Sequence, residues 1–82
     1  MSLEDIELEN VERIERLLIS KHGNLSAQLV RSINNIKNNL RLYEVDKASL
    51  DIVNDVMYRA SITDDVKEAE ANIKQLSDTF WD

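Results

Sequence analysis

The chain has 82 residues, no Cys, a single His and a net charge of −6. This length allows one domain at most, and the composition excludes disulfides and a zinc site built from several His ligands of this chain. The negative charge disfavours nonspecific binding to nucleic acids or to anionic membranes. With one Gly and no Pro, the chain lacks residues that most turns use, which indicates long helices and few loops.

The charges are divided unevenly along the chain. Residues 1–15 contain six acidic residues and one basic residue, residues 16–43 contain five basic residues and no acidic one, and residues 44–82 contain ten acidic and four basic residues. Two interpretations fit. Either these segments form separate solvated faces, or the basic centre folds against one or both acidic flanks. Ion pairs at a surface contribute only about 0–1 kcal/mol each, so they can select an orientation but cannot create the fold.

The first predicted helix covers residues 3–22. Acidic residues near its start and Lys21 near its end suit the helix dipole. Gly23 then suits the position after a helix, where the backbone often turns left-handed, and Asn24 or Ser26 can cap the next helix. Apolar residues at three- and four-residue spacing form its predicted packing stripe: Leu3, Ile6, Val11, Ile14, Leu17 and Leu18.

The second predicted helix covers residues 25–60. Its apolar positions follow a heptad pattern that breaks at Lys47 and then resumes in a new register. The chain either turns near residues 44–47 or continues as one long helix with a stutter. Because no Gly or Pro marks a turn, we favour a continuous or slightly bent helix. The predicted packing or partner-contact residues are Leu29, Ile33, Ile36, Leu40, Tyr43, Leu50, Val53 and Met57.

Four asparagines lie beside this seam, although Asn is a poor helix former. Asn34, Asn35, Asn38 and Asn39 all fall at positions that point away from the a and d residues. The seam must therefore hold this helix by packing, as in most protein helices. The asparagines form either a solvated face or a neutral polar surface against another chain.

The third predicted helix covers residues 63–80, after a corner at residues 59–65 where Ser61 or Thr63 can act as N-cap. It has the most regular heptad in the chain. We expect Trp81 either to cover the end of the bundle or to anchor a partner, because Trp is frequent among interface hot spots. The predicted packing or partner-contact residues here are Val66, Ile73, Leu76, Phe80 and Trp81.

No group of residues converges on chemistry. His22 has no Cys or second His to share a metal ion, and it precedes a helix-ending Gly. Asp51 and Asp55 lie one helical turn apart, a spacing that suits either acid–base work or a cation, but nothing else in the sequence joins them. We therefore expect no catalytic residue, no metal and no cofactor, and a protein that is not an enzyme.

One segment resembles a known family. Residues 18–40, LISKHGNLSAQLVRSINNIKNNL, and the run that follows to Val56 are similar to small helical subunits of the fungal DASH kinetochore complex. The resemblance implies a structural, non-catalytic subunit of a ring-forming, microtubule-associated assembly. The residues that carry it are Leu18, Ile19, Gln28, Ile33, Asn34, Ile36 and Leu40.

The sequence thus predicts a single all-α domain, an antiparallel helical hairpin or small bundle with coiled-coil-like packing. We expect a scaffold subunit that contacts other helical chains or itself, with no nucleic acid and no transmembrane segment. The alternative is a small acidic chaperone or regulator that binds a partner's amphipathic helix. The acidic N-terminal segment lacks the features of a signal peptide, so we expect an intracellular protein, cytoplasmic or nuclear. With so small a core, we also expect marginal stability without a partner.

Overall fold

The protein folds into four α-helices. The computed structural model describes the backbone of residues 1–81 and the side chains of residues 1–79. The helices are α1 (Leu3–His22), α2 (Ala27–Leu42), α3 (Lys47–Ile62) and α4 (Val66–Trp81), and residues 1–81 contain no strand. The predicted all-α fold is therefore confirmed as a small bundle of helices, while the coiled-coil-like character of its packing stays a prediction.

Short polar side chains start the first two helices. The Ser2 hydroxyl accepts a hydrogen bond from the Asp5 amide at 3.1 Å, and the Asp5 carboxylate accepts one from the Ser2 amide at 3.3 Å, which completes a capping box. At α2 the Ser26 hydroxyl accepts from the Leu29 amide at 3.1 Å. Between these helices Gly23 has a φ of 79°, which other residues rarely adopt. The predicted ends of α1 and the start of α2 follow from these residues.

The predicted continuous helix over residues 25–60 is wrong, because the chain turns between Leu42 and Lys47. Tyr43 and Asp46 both have extended backbones, with ψ near 152° and 156°. The Val45 amide donates to the Glu4 carboxylate at 3.1 Å, and the Val45 side chain packs against the core. The extended residues of this turn have a backbone conformation that most residue types can adopt. The turn therefore needs neither Gly nor Pro. The break in register at Lys47 is a sequence signal for this turn.

Ion pairs show that α1 and α2 are antiparallel. Lys37 Nζ lies 2.9 Å from Glu15 Oε1, and Arg41 Nη2 lies 3.6 Å from Glu12 Oε2. At the far end of α1, Lys21 Nζ lies 2.9 Å from Asp64 Oδ1. The basic centre of the sequence therefore folds against both acidic flanks at these three places.

Other side-chain contacts show that α1 runs parallel to α3 and that α2 runs parallel to α4. The order of contacts increases along both helices of each pair, so both pairs are parallel. The contacts are Asn10 with Asn54 and Lys21 with Thr63, and then Ser26 with Glu70 and Asn35 with Ser77.

The bundle thus consists of two antiparallel hairpins, α1–α2 and α3–α4, packed face to face. Its main helix contacts are α1 with α2, α1 with α3, α2 with α4, and α3 with α4. Consequently α2 and α3 lie on one diagonal of the bundle and α1 and α4 on the other. Both α1 and α4 contact α2 and α3 at once, so each of the two sequence registers is covered within one chain.

The core lies where the four helices meet. It uses the central residues of each apolar stripe, while Leu3, Ile6 and Leu17 of the predicted α1 stripe are about half exposed. Those three lie toward the outer edge of α1. The opposite side of this helix faces α2 and α3. The buried hydrophobic residues are Val11, Ile14, Leu18, Leu29, Ile33, Ile36, Leu40, Leu50, Val53, Met57, Ala60, Ala69, Ile73 and Leu76.

Candidate functional site

A groove of about 360 Å³ runs along the outside of the bundle between α3 and α4. Its floor is apolar, its α3 wall is apolar except for one arginine, and its α4 wall carries neutral polar side chains. Both helices contribute residues over two turns, so the groove is roughly 10 Å long. The lining residues are Ile52, Val56 and Arg59 from α3, and Asn72, Gln75, Leu76 and Thr79 from α4.

The groove exists because α3 presents a second apolar edge beside its core face. Val53 and Met57 point into the core and are fully buried, whereas Ile52, one position before Val53, is 46% exposed. Leu76 closes the floor and is only 4% exposed. The floor is thereby fixed by core packing, and about half of the Ile52 surface is left uncovered by its own chain.

Arg59 provides the charge of the site. Among the described residues that line the groove, it is the one charged side chain. Its Nη2 lies 3.2 Å from Asp55 Oδ2, one turn earlier on α3, and both side chains are more than half exposed. An exposed pair of this kind is weak, so the guanidinium remains able to bind a second carboxylate.

A polar cluster joins α1 and α3 away from this groove. The Asn10 amide donates to the Glu7 carboxylate at 2.9 Å and to Asn54 Oδ1 at 2.8 Å. Burial raises the pKa of Glu7 above its usual value, the Asn10 hydrogen bond opposes that rise, and the nearby Asp51 charge adds to it. These groups satisfy one another, and we assign the cluster to the packing of α1 against α3.

The asparagines of α2 divide into two pairs. Asn35 donates to the buried Ser77 hydroxyl at 2.7 Å and so faces α4, whereas Asn39 donates to the backbone carbonyl of Asn35 at 2.9 Å, within α2. Asn34 and Asn38 are exposed. The two interpretations of this polar surface therefore apply to different residues. Asn35 joins two helices of one chain and Asn39 bonds within α2, while the exposed pair can form a solvated face or meet another chain.

Most of the predicted packing or partner-contact residues lie inside this chain's own bundle. Val66 is partly buried against the core, and Tyr43 departs from the predicted seam, since it ends α2 and is 62% exposed. The side chains of Phe80 and Trp81 lie outside the described residues. The buried ones are Leu29, Ile33, Ile36, Leu40, Leu50, Val53, Met57, Ile73 and Leu76.

Ile52 and Val56 lie beside the seam positions of α3, and the sequence did not predict them as site residues. The available signal was that Ile52 directly precedes Val53, so α3 has more apolar residues than one buried stripe needs. A heptad pattern identifies the residues that a helix buries. It does not indicate which neighbouring residues the other helices leave uncovered.

The residues considered for chemistry do not converge. His22 is partly buried and its Nε2 has no hydrogen-bond partner. Asp51 pairs with Lys47 at 3.2 Å, and Asp55 pairs with Arg59 at 3.2 Å. Within residues 1–79, no group of three or more Asp, Glu, His or Cys side chains is placed to hold a metal ion.

Over the same part of the chain, none of the helices combines the length and the apolar character that crossing a membrane requires. No protein-family model, no curated protein and no solved structure matches this chain.

Proposed function

We propose that the protein is a non-catalytic helical interaction subunit that binds another protein through the outside of its bundle. The observation that carries this proposal is the exposure of Ile52 in an apolar groove, although the same helix already buries a complete core stripe. Exposed apolar surface in a concave site is typical of protein-binding surfaces. The residues that line it offer no nucleophile paired with a base.

The proposal differs from the sequence-based expectation in where the partner binds. The core positions of α2 and α3 are covered by α1 and α4 of the same chain. A partner is therefore not needed to complete the core, which supports a proposed contact on the outer surface. The partner is another helical protein or a second copy of this chain, and nucleic acid remains disfavoured by the net charge of −6.

A second candidate function is a small acidic chaperone or regulator that covers a partner's amphipathic helix until the partner is delivered. The same groove favours it, since a groove between two helices is a common receptor for a third helix. The two functions differ in how long the complex with the partner lasts. A scaffold subunit stays in its assembly at a fixed ratio, whereas a chaperone releases its client.

The resemblance of residues 18–40 to DASH subunits supplies one candidate assembly, a ring-forming complex at kinetochores or on microtubules. We include it in the proposal on the strength of those sequence residues alone. The proposed location, cytoplasmic or nuclear, agrees with such an assembly.

Purification of the tagged protein from its native cells tests the proposal. Native mass and quantitative mass spectrometry would give the ratio of each associated protein to the tagged chain. Mixing the tagged chain into a lysate of untagged cells controls for association after lysis. One or a few proteins at a constant ratio is the expected result. A monomer with no partner above the control level would refute the interaction function.

A pulse-chase version of the purification separates the two candidates. After labelling ends, a scaffold subunit and its partner should decay together. A chaperone's client should leave the complex while the tagged chain persists.

A further inference from the structure

We propose that the groove between α3 and α4 binds an amphipathic helix of a partner protein, with the helix's apolar stripe on Ile52 and Val56 and a carboxylate paired with Arg59. This inference rests on the proposed interaction function and names its surface and the chemistry of its partner.

The walls of the groove determine the form of the occupant. Both walls are α-helices, whose backbone N–H and C=O groups are already hydrogen-bonded within α3 and α4. An extended peptide lying between them would bury its own backbone groups without partners, which is costly. A helix satisfies its backbone internally and presents only side chains. The occupant that this surface accepts at least cost is therefore a helix.

The dimensions determine the spacing of its contacts. The groove extends over residues 52–59 of α3 and residues 72–79 of α4, two turns on each side. A helix lying along it would place apolar side chains at i, i+3 or i+4, and i+7 against the apolar edge and floor. Neutral side chains on the α4 wall, from Asn72, Gln75 and Thr79, would form the polar rim of the interface.

Arg59 favours a negatively charged partner residue at its end of the groove. The protein as a whole has a charge of −6, but the described groove residues carry only the positive charge of Arg59. Arg59 lies at one end of the α3 wall, one turn beyond Val56 and two turns beyond Ile52. A carboxylate about one turn beyond the partner's apolar stripe would reach the guanidinium and compete with Asp55, which now pairs with it at 3.2 Å.

A synthetic peptide can test this surface directly. The probe is an alanine-based helical peptide of about 16 residues, a length that supports partial helicity in water. It has leucines at i, i+3, i+4 and i+7 and one glutamate a turn beyond them; a second peptide has lysine in place of that glutamate. In a titration followed by NMR of the isotope-labelled full chain, the glutamate peptide should shift amides of residues 52–59 and 72–79 saturably. It should bind about three- to tenfold more tightly than the lysine peptide.

Matched variants distinguish binding at this groove from nonspecific hydrophobic binding elsewhere on the surface. Ile52 and Ile19 are exposed to nearly the same extent, 46% and 48%, but Ile19 is on α1. Ile52→Asp should weaken binding of the glutamate peptide at least about tenfold, and Ile19→Asp should leave it unchanged. Arg59→Glu should reverse the preference between the two peptides, while Arg31→Glu on α2 should not. If Ile52→Asp lowers the helical circular dichroism signal, Ile52→Ala replaces it, with a smaller loss of affinity expected.

Several results would overturn the proposal. These are no saturable shift at the groove, shifts centred on another face, or equal losses from the Ile52 and Ile19 variants. Groove amides that shift with protein concentration alone would assign the surface to a second copy instead. A native partner that stays bound to the Ile52→Asp variant would refute the groove and leave the interaction function standing. Absence of any stoichiometric partner for the unmodified chain would refute the function itself.

Discussion

Lys37 Nζ lies 2.9 Å from Glu15 Oε1, and the two side chains are only 14% and 18% exposed. This ion pair joins α2 to α1 in a largely water-excluded position. Replacing one partner leaves the other charge poorly solvated, whereas replacing both does not. We expect Lys37→Met to lower the free energy of unfolding by about 1–3 kcal/mol, less than in a fully buried pair because some water contact remains.

The double variant Glu15→Leu/Lys37→Met should recover most of that loss. Arg41→Met, which breaks the more exposed pair with Glu12, should cost less than about 0.5 kcal/mol and serves as the control. Urea unfolding followed by circular dichroism measures all three. Equal losses from the Lys37 and Arg41 variants would contradict the assigned burial of the first pair.

Ile36 and Asn38 lie on opposite faces of α2, and their substitution tests the register of that helix. Ile36 is fully buried, so Ile36→Ala should lower the free energy of unfolding by about 2–4 kcal/mol. Asn38 is exposed, and its side-chain oxygen accepts a hydrogen bond from Arg41 on the same helix at 3.2 Å. Asn38→Ala should be neutral or slightly stabilising, since Ala is the better helix former. Similar effects in urea unfolding would show that the register is wrong.

The two asparagines at positions 34 and 35 should respond differently to the same change. Asn35→Ala removes the donor to the Ser77 hydroxyl, which is 4% exposed and would lose its partner. A loss of about 1–2 kcal/mol is expected from that unsatisfied group. Asn34→Ala, on the exposed side, should change stability by less than about 0.5 kcal/mol. Thermal melts of the two variants make the comparison, and the prediction fails if Asn34→Ala is the more damaging.

Glu7 should make stability depend on pH in a defined direction. Burial raises its pKa in the folded protein above the usual value for a glutamate, so the folded state binds a proton more tightly than the unfolded state. This contribution to stability is complete below the unfolded pKa and is lost as the pH rises through the folded pKa. Glu7→Gln removes that loss, so the variant should be more stable than the natural chain at pH 7.

The difference between Glu7→Gln and the natural chain should shrink as the pH is lowered to about 3, where the natural carboxyl is also neutral. Glu9→Gln, an exposed carboxylate on the same helix, is the control for the change in net charge. Urea unfolding across this pH range provides the measurement. A Glu7→Gln variant that is less stable than the natural chain at pH 7 would reverse the assigned sign.

The melting temperature should be independent of protein concentration. The sequence predicted the opposite, because one short neighbour could not cover two registers on a single long helix. With α2 and α3 separate, both pack against α1 and α4 of the same chain. Melts at widely spaced concentrations, together with the mass in solution, decide between the two expectations. A melting temperature that rises with concentration would show that a second chain completes the core.

Heptad spacing predicted the interior of the bundle well. Ile33, Ile36 and Ile73 occupy seam positions and are fully buried, because helices pack through residues that recur every three or four positions. The turn after Leu42 was one of two interpretations and was not favoured, since its extended residues need no special side chain. The groove at Ile52 was not predicted. Which apolar edge stays uncovered depends on how α3 and α4 lie together, and that is a property of the tertiary fold.

The diagonal connection between α2 and α3 has a consequence for domain swapping. Residues 43–46 include no Pro or Gly. If they became helical, α2 and α3 would join into one long helix. The α1–α2 and α3–α4 hairpins would then be held apart at the two ends of that helix, each with its apolar side exposed. The α1–α2 hairpin of one opened chain could then pack against the α3–α4 hairpin of a second chain. Two opened chains would in this way rebuild two complete cores by exchange. The extended backbone at Tyr43 and Asp46, together with the hydrogen bond from the Val45 amide to Glu4, holds the turn that such an exchange would have to open.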